Sequence, residues 1–193
     1  ATLPAMPRPE PCPERVNVLL VGGGGREHAL AWKLKQSPRL GTLWRTDDAN
    51  AALRGLAQHF PAELDIRRPF HLVRWCEKED VRLIIVGPEA PLAEGIADTL
   101  QADGRYVFGP SQAGAMIEAD KAWAKTLMRQ AAVPTADATV FERIEAARHW
   151  IEARDEPCVV KAAGLAAGKG VIVCDTQAEA LADKVHAGVR REL

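Results

Sequence analysis

Three things are missing from this chain of 193 residues, and each absence removes a class of function. Net charge is the first. Lysine and arginine number 25 against 26 acidic residues, so no field recruits nucleic acid or an anionic membrane, and small molecules are the expected partners. Paired cysteine motifs are the second. Cys12, Cys76, Cys158 and Cys174 form no C-x-x-C, and three of them sit in or beside segments that read as regular structure. This predicts reduced thiols in a cytoplasmic protein, with no metal framework. Long apolar runs are the third: the longest is roughly six residues, against about twenty for a membrane span. The opening also lacks the continuous apolar core of a secretory leader, and with Pro4, Pro7, Pro9, Pro11 and Pro13 it is expected to be a disordered tail over 1–14.

What is present is an alternation of patterns. Val16 to Val21 is an apolar run closed by Gly22 to Gly25, and Glu27 to Gln36 then carries Leu30, Trp32 and Leu34 before Ser37-Pro38 stops it. That is strand, glycine turn, helix. Thr42 to Arg45 reads as a second strand ending at Asp47-Asp48, with Asn50 capping a short helix through Gln58. Pro69 fits the first position of a helix to about Glu79, whose apolar stripe is Leu72, Trp75 and Cys76. Val81 to Val86 is the clearest buried strand and stops at Gly87-Pro88-Glu89; a helix from Pro91 to Ala102 and a short strand Tyr106-Val107-Phe108 follow. Such alternation predicts an α/β fold built on an open, doubly wound parallel sheet, with ligands at the carboxyl ends of the strands. The turns 22–27, 47–50, 87–91 and 109–111 then share one edge.

From Ser111 the texture changes to helices 111–118 and 120–131, a strand-like Thr139-Val140-Phe141 and a helix 142–154. A hairpin around Lys161 and a helix from Thr176 to about His186 follow. The expected division is a tail 1–14, an α/β domain 15–118, and linker helices with a small, truncated α+β lobe over 119–193. That lobe, with two or three strands, is marginal for independent stability.

Several stretches can carry chemistry, and each has a bland reading beside the functional one. Gly22-Gly23-Gly24-Gly25-Arg26-Glu27-His28 follows a strand and opens a helix, so its amides can hold an anion. Alternatively, Arg26 and Glu27 form a solvated first turn in which Glu27 complements the helix dipole, and His28 is structural. A nicotinamide site would place its third glycine at Glu27, though Asp47 or Asp48 could mimic the acid that binds ribose. Gly87-Pro88-Glu89-Ala90-Pro91-Leu92 offers a carboxylate on a rigid turn, or simply a capping Glu89. Lys121 and Lys125 share a helical face, which is a solvated one unless it looks at the 161–170 loop. Lys161-Ala162-Ala163-Gly164-Leu165-Ala166-Ala167-Gly168-Lys169-Gly170 joins two apolar runs. It presents backbone amides and two cations together, as a polyphosphate requires, or is an ordinary small-residue turn.

Together these stretches resemble one family. The Gly22–Leu34 run, Val86–Leu92, Phe108-Gly109-Pro110, Asp120-Lys121 and Val160–Val171 closely resemble, in order and spacing, the phosphoribosylamine–glycine ligases of the ATP-grasp superfamily. The resemblance runs from Val16 to the end of the chain. It implies an enzyme of purine biosynthesis that joins glycine to 5-phosphoribosylamine at the expense of ATP; a cytoplasmic monomer is expected. By that resemblance Lys121 and Lys161 bind ATP phosphates, and Gly164, Leu165, Ala166, Ala167, Gly168, Lys169 and Gly170 form the loop that closes over them. Gly24, Gly25, Arg26, Glu27, Asn50, Gly87, Pro88 and Glu89 would hold phosphoribosylamine. A Mg2+ (or Mn2+) ion is implied as well, with ligands beyond residue 193.

Three departures accompany the likeness. Asp47-Asp48-Ala49-Asn50-Ala51 stands where the family has Pro-Gly-Asn-Ala-Gly, and two carboxylates facing the site would repel a ribose phosphate. This motivates an alternative: a non-catalytic nucleotide- or sugar-phosphate-binding module derived from the fold. Ala163 stands where relatives carry Asp or Ser. The family's adenine-holding strand and metal ligands also lie past Leu193, so the chain is expected to be an N-terminal portion, inactive alone.

Overall fold

The computed structural model describes residues 13–46, 50–61, 65, 69–102, 104–154, 156–166 and 170–182. The expectations for the proline-rich tail up to residue 12, for Asp47-Asp48-Ala49, for Ala167-Gly168-Lys169 and for the helix beyond residue 182 lie outside the described residues. The chain divides into two compact units, the first ending at Ala115 and the second beginning at Met116.

The first unit alternates strand and helix: β1 (Val16–Val21), α1 (Gly25–Leu34), β2 (Leu40–Arg45), α2 (Ala51–Arg54), β3 (Gln58–His59), α3 (Phe70–Lys78), β4 (Val81–Val86), α4 (Glu89–Ala93), α5 (Ile96–Leu100) and β5 (Tyr106–Phe108). The strands form one sheet in the order β3-β2-β1-β4-β5, every pair parallel. This is the expected open parallel sheet. Its central strands are apolar on both faces, as a sheet covered on both sides requires. Leu19, Val21, Ile84 and Val86 pack with Leu72, Cys76, Ile96 and Leu100 on one side. Val18, Leu20 and Ile85 pack with Ala31, Leu53 and Ala57 on the other. Leu19, Leu20 and Ile84 are completely buried, each contributing about 1.5–3 kcal/mol. Trp75 bridges Trp44 and Phe60 edge-on, with centroids 5.0 and 4.6 Å away.

Local expectations needed correction in three places. The helix capped by Asn50 ends at Arg54, and Gln58-His59 leaves it to pair with Trp44-Arg45 as a fifth strand. The single helix anticipated over Pro91–Ala102 is two, because Gly95 sits at φ 87°, a left-handed conformation that ends α4 and begins α5. Thr139-Val140-Phe141 is no strand; its apolar residues have no ladder partner among the described residues, and Val140 stays exposed.

The helix α6 (Gln112–Ala119) leads into the second unit, which contains α7 (Lys121–Gln130), α8 (Ile144–Glu152), β6 (Cys158–Lys161), β7 (Val171–Cys174) and α9 (Gln177–Leu181). The two strands form the expected antiparallel hairpin, with Cys158 opposite Cys174 and Lys161 opposite Val171. One face of the hairpin packs: Cys158, Val160, Ile172 and Cys174 meet Trp150, Ile151, Ala180 and Leu181. Alternation therefore turns Val159, Lys161, Val171 and Val173 outward. No described helix is long and apolar enough to cross a membrane.

Candidate functional site

In the first unit the carboxyl ends of β1, β2 and β4 bring together residues that lie more than sixty positions apart. Gly22 leaves β1 at φ 109° and donates its N–H to Thr46 Oγ1 at 3.0 Å. Its Cα packs so closely on the neighbouring turn that a Cβ there would lie 2.7 Å from Pro88 Cδ. Gly24 caps α1, and its N–H donates to Glu27 Oε2 at 2.5 Å. Arg26 Nη1 donates to the carbonyl of Gly87. Asn50 works in two directions: Oδ1 accepts from Ala52 N and Leu53 N at 3.0 and 3.3 Å, while Nδ2 donates to Gly24 O at 3.3 Å. Of the expected sugar-phosphate residues, Gly24, Arg26, Glu27, Asn50, Gly87 and Pro88 are thus in one network.

Two of them differ in character from their bland readings. Glu27 is not a solvated first-turn charge: it is 4% exposed. Glu89 opens α4 after Pro88 without a side-chain cap bond, so the capping reading fails. The amides of Gly25 and Arg26 have no acceptor among the described residues, and a Cβ on Gly25 would meet nothing within 4 Å. That leaves an open helix N-terminus with a guanidinium beside it, a combination suited to a phosphate. Thr46 was not anticipated, since a lone threonine after a strand carries no signal until its partner glycine is located.

In the second unit the 161–170 loop has a fixed base and a cation held against it. Ala162 N donates to Gly170 O at 2.8 Å, and a Cβ on Gly170 would sit 2.5 Å from that of Ala166, so Ala162, Ala166 and Gly170 lie close together at its base. Lys121 reaches it twice. Its backbone N–H donates to Ala163 O at 2.9 Å, and its ammonium donates to Gly164 O at 2.6 Å and to Ala163 O at 3.5 Å. The other amides at the start of α7 are consumed by Asp120 Oδ1, which accepts from Ala122 and Trp123 at 2.9 Å each. This helix end therefore offers a ligand the Lys121 side chain, not its backbone. Lys125 does not share that role: it donates to Thr135 Oγ1 and Ala136 O at 2.7 and 2.6 Å. Lys161 is exposed and has no hydrogen-bond or ion-pair partner among the described residues.

Two buried thiols suggest structure, not chemistry. Burial pushes the Cys76 thiol up to about 11, with the nearby Arg105 charge pulling the other way. Cys174 is raised too, by burial first and then by Cys158 and the carboxylates of Glu179 and Asp175. Among the described residues no group of three or more His, Cys, Asp or Glu side chains is placed to hold a metal ion.

Comparison with known proteins shows the family. The model for the N domain of phosphoribosylglycinamide synthetase matches residues 16–118, and the model for its ATP-grasp (A) domain matches 119–187. The phosphoribosylamine–glycine ligase of a Nostoc species is 48% identical over 175 residues, covering 90% of this chain and 41% of its own length. The chain thus spans about two fifths of the curated relatives it matches. The crystal structure of the Thermotoga maritima phosphoribosylamine–glycine ligase superimposes with a TM-score of 0.66 at 26% identity, over 90% of this chain and 40% of that one. An N5-carboxyaminoimidazole synthetase from Staphylococcus aureus, crystallised with ADP, superimposes at 0.67 with 14% identity over 94% of this chain and 46% of that one, which speaks to the fold alone. With both domain models matched in sequence order and the glycine turns and lysine-clamped loop in place, the chain belongs to the phosphoribosylglycinamide synthetase family.

Proposed function

We propose that the protein to which this sequence belongs ligates glycine to 5-phosphoribosylamine, consuming ATP and giving glycinamide ribonucleotide, ADP and phosphate. Residues 15–118 form its sugar-phosphate domain, and 119–193 the first part of its ATP-grasp domain. The observation that carries the reading is the Lys121 clamp on the Gly164 loop, in a chain whose other unit presents an open helix N-terminus at the carboxyl edge of a parallel sheet. An ammonium has three donors, and two of those on Lys121 are given to Gly164 and Ala163. One remains for a phosphate oxygen, delivered at a fixed place on the loop. Lys161, extended from the outward face of the hairpin, supplies a second cation.

The chemistry asked of these residues is positioning and charge neutralisation. A glycine carboxylate oxygen attacks the γ-phosphorus and ADP leaves, giving glycyl phosphate. The amine of phosphoribosylamine attacks the acyl carbon, the acyl C–O bond breaks so that phosphate leaves with the bridging oxygen, and the amine loses a proton. Lys121 and Lys161 stabilise the charge that moves onto the leaving phosphate oxygens. In the first unit the Gly25 and Arg26 amides and the Arg26 guanidinium hold the ribose phosphate. Among the described residues no group of three or more His, Cys, Asp or Glu side chains could hold a magnesium ion.

The test is ADP release by the complete encoded protein. Release should require glycine and phosphoribosylamine together, and Lys121→Met should lower kcat/KM for ATP by about 10²-fold or more, as the loss of a charge-stabilising donor does. Lys125→Met, which removes only the strap to Thr135 and Ala136, should leave it within about threefold. ADP release that ignores the amine would overturn the proposal, as would binding without turnover.

A further inference from the structure

We infer that Glu27 is a positioning residue. Its buried carboxylate is the strut on which the two glycine turns are assembled, and it does not itself grip the ligand. This deepens the reading of those turns as a sugar-phosphate seat and rests on it.

The first observation is burial. Glu27 stands in the first turn of a helix whose Gly24, Gly25 and Arg26 are all exposed, yet it is 4% exposed itself. A carboxylate withdrawn from water is costly unless its oxygens are satisfied, and the 2.5 Å bond from Gly24 N satisfies one of them with the added strength of a charged acceptor. The second observation is what surrounds it. A Cβ on Gly24 would lie 3.0 Å from Glu27 Oε2, and one on Gly22 would lie 3.0 Å from Glu27 Cδ. One on Gly87 would lie 2.6 Å from Cδ and fall onto Oε1. Three glycines from two turns are packed around one carboxylate, and any side chain on them would displace it. The third observation is that the groups suited to a ligand turn the other way. Gly25 has open space where a Cβ would be, and the Arg26 guanidinium spans to Gly87 O across the exposed side. Glu27 thus lies beneath a surface formed by the amides of Gly25 and Arg26 and by the Gly87 turn.

A strut acts through shape and acceptor geometry, so glutamine should replace it, whereas a residue that contacts the ligand through its charge should not tolerate the change. A strut shared with Gly87 must also be coupled to it: once the carboxylate is gone, a methyl at position 87 has nothing left to displace. Calorimetric titration of the complete encoded protein with ribose 5-phosphate reads both. Glu27→Gln should bind within about threefold of wild type. Glu27→Ala and Gly87→Ala should each lose about tenfold, and the double variant about tenfold as well, not the hundredfold of independent effects. If Glu27→Gln binds as poorly as Glu27→Ala, or if the losses multiply, the inference is wrong.

Thermal unfolding of the wild type, Glu27→Ala, Gly87→Ala and the double variant separates this inference from the proposed function. Should the wild type not bind ribose 5-phosphate, the sugar-phosphate reading falls. The strut is then judged from melting temperatures alone: non-additive losses uphold it, additive ones overturn it. If Gly87→Ala fails to fold, recovery of folding by adding Glu27→Ala supports the strut, and no recovery counts against it.

Discussion

Lys121 and Lys161 carry the same charge and do different work. Lys121 begins a helix whose amides are already spent on Asp120 and Ala163, so its position is set before any ligand arrives. Lys161 ends a strand on the outward face of a hairpin, where nothing described restrains its head. Loss of Lys121 should therefore disturb the loop as well as the charge, and loss of Lys161 the charge alone. Cys76 tests the core at the same scale. Its thiol is fully buried and held up to about 11, against an ordinary value of 9.0. The folded state thus binds the proton more tightly than the unfolded chain. That contribution to stability is complete below pH 9 and is lost as pH rises through 11, on the order of 2–3 kcal/mol in all. Denaturation midpoints between pH 8.5 and 11 should fall more steeply in the wild type than in Cys76→Ala, which keeps the contribution of the raised Cys174 thiol. Equal slopes would mean that another group causes it. Most candidate site residues were legible only through their order along the chain, because each glycine, lysine or arginine has an ordinary structural reading of its own. Glu27 was legible as a candidate site residue but not as a buried one, since its burial depends on the Gly87 turn sixty residues away.

Elements were read well where periodicity had a partner in space and badly where it did not. Val16–Val21 and Val81–Val86 are strands because both faces find helices. Thr139-Val140-Phe141 has equal strand propensity and no ladder, so the backbone stays irregular. Gln58-His59 shows the converse: two polar residues without a pattern are drawn into the sheet by the free edge of β2. The break between α4 and α5 belongs here too. Gly95 is the only residue of that segment at positive φ, and an alanine would strain the backbone by about 1–2 kcal/mol. Its Cβ would meet Gln112 at an ordinary 3.4 Å, so the cost is conformational. Gly95→Ala should lower the melting temperature by roughly 2–6 °C, and an unchanged value would mean that the helices can fuse across position 95.

At the scale of the molecule, the parallel sheet and the small antiparallel hairpin were both legible, because alternating strand and helix patterns admit few arrangements and the change of texture near Ser111 marks where they stop. The family was legible for a different reason: five short motifs in a fixed order identify it where no single glycine turn could. Neither source reaches past this chain, which spans about two fifths of its curated relatives. The proposal that the complete protein activates a carboxylate with ATP and passes it to an amine has one decisive chemical consequence. If the glycine carboxylate attacks the γ-phosphorus, one of its oxygens must leave with phosphate. Glycine labelled with oxygen-18 in its carboxylate, turned over with ATP and phosphoribosylamine, should yield glycinamide ribonucleotide together with phosphate carrying one labelled oxygen. Unlabelled phosphate accompanying the amide would show that glycyl phosphate is not the intermediate and that these lysines serve some other reaction.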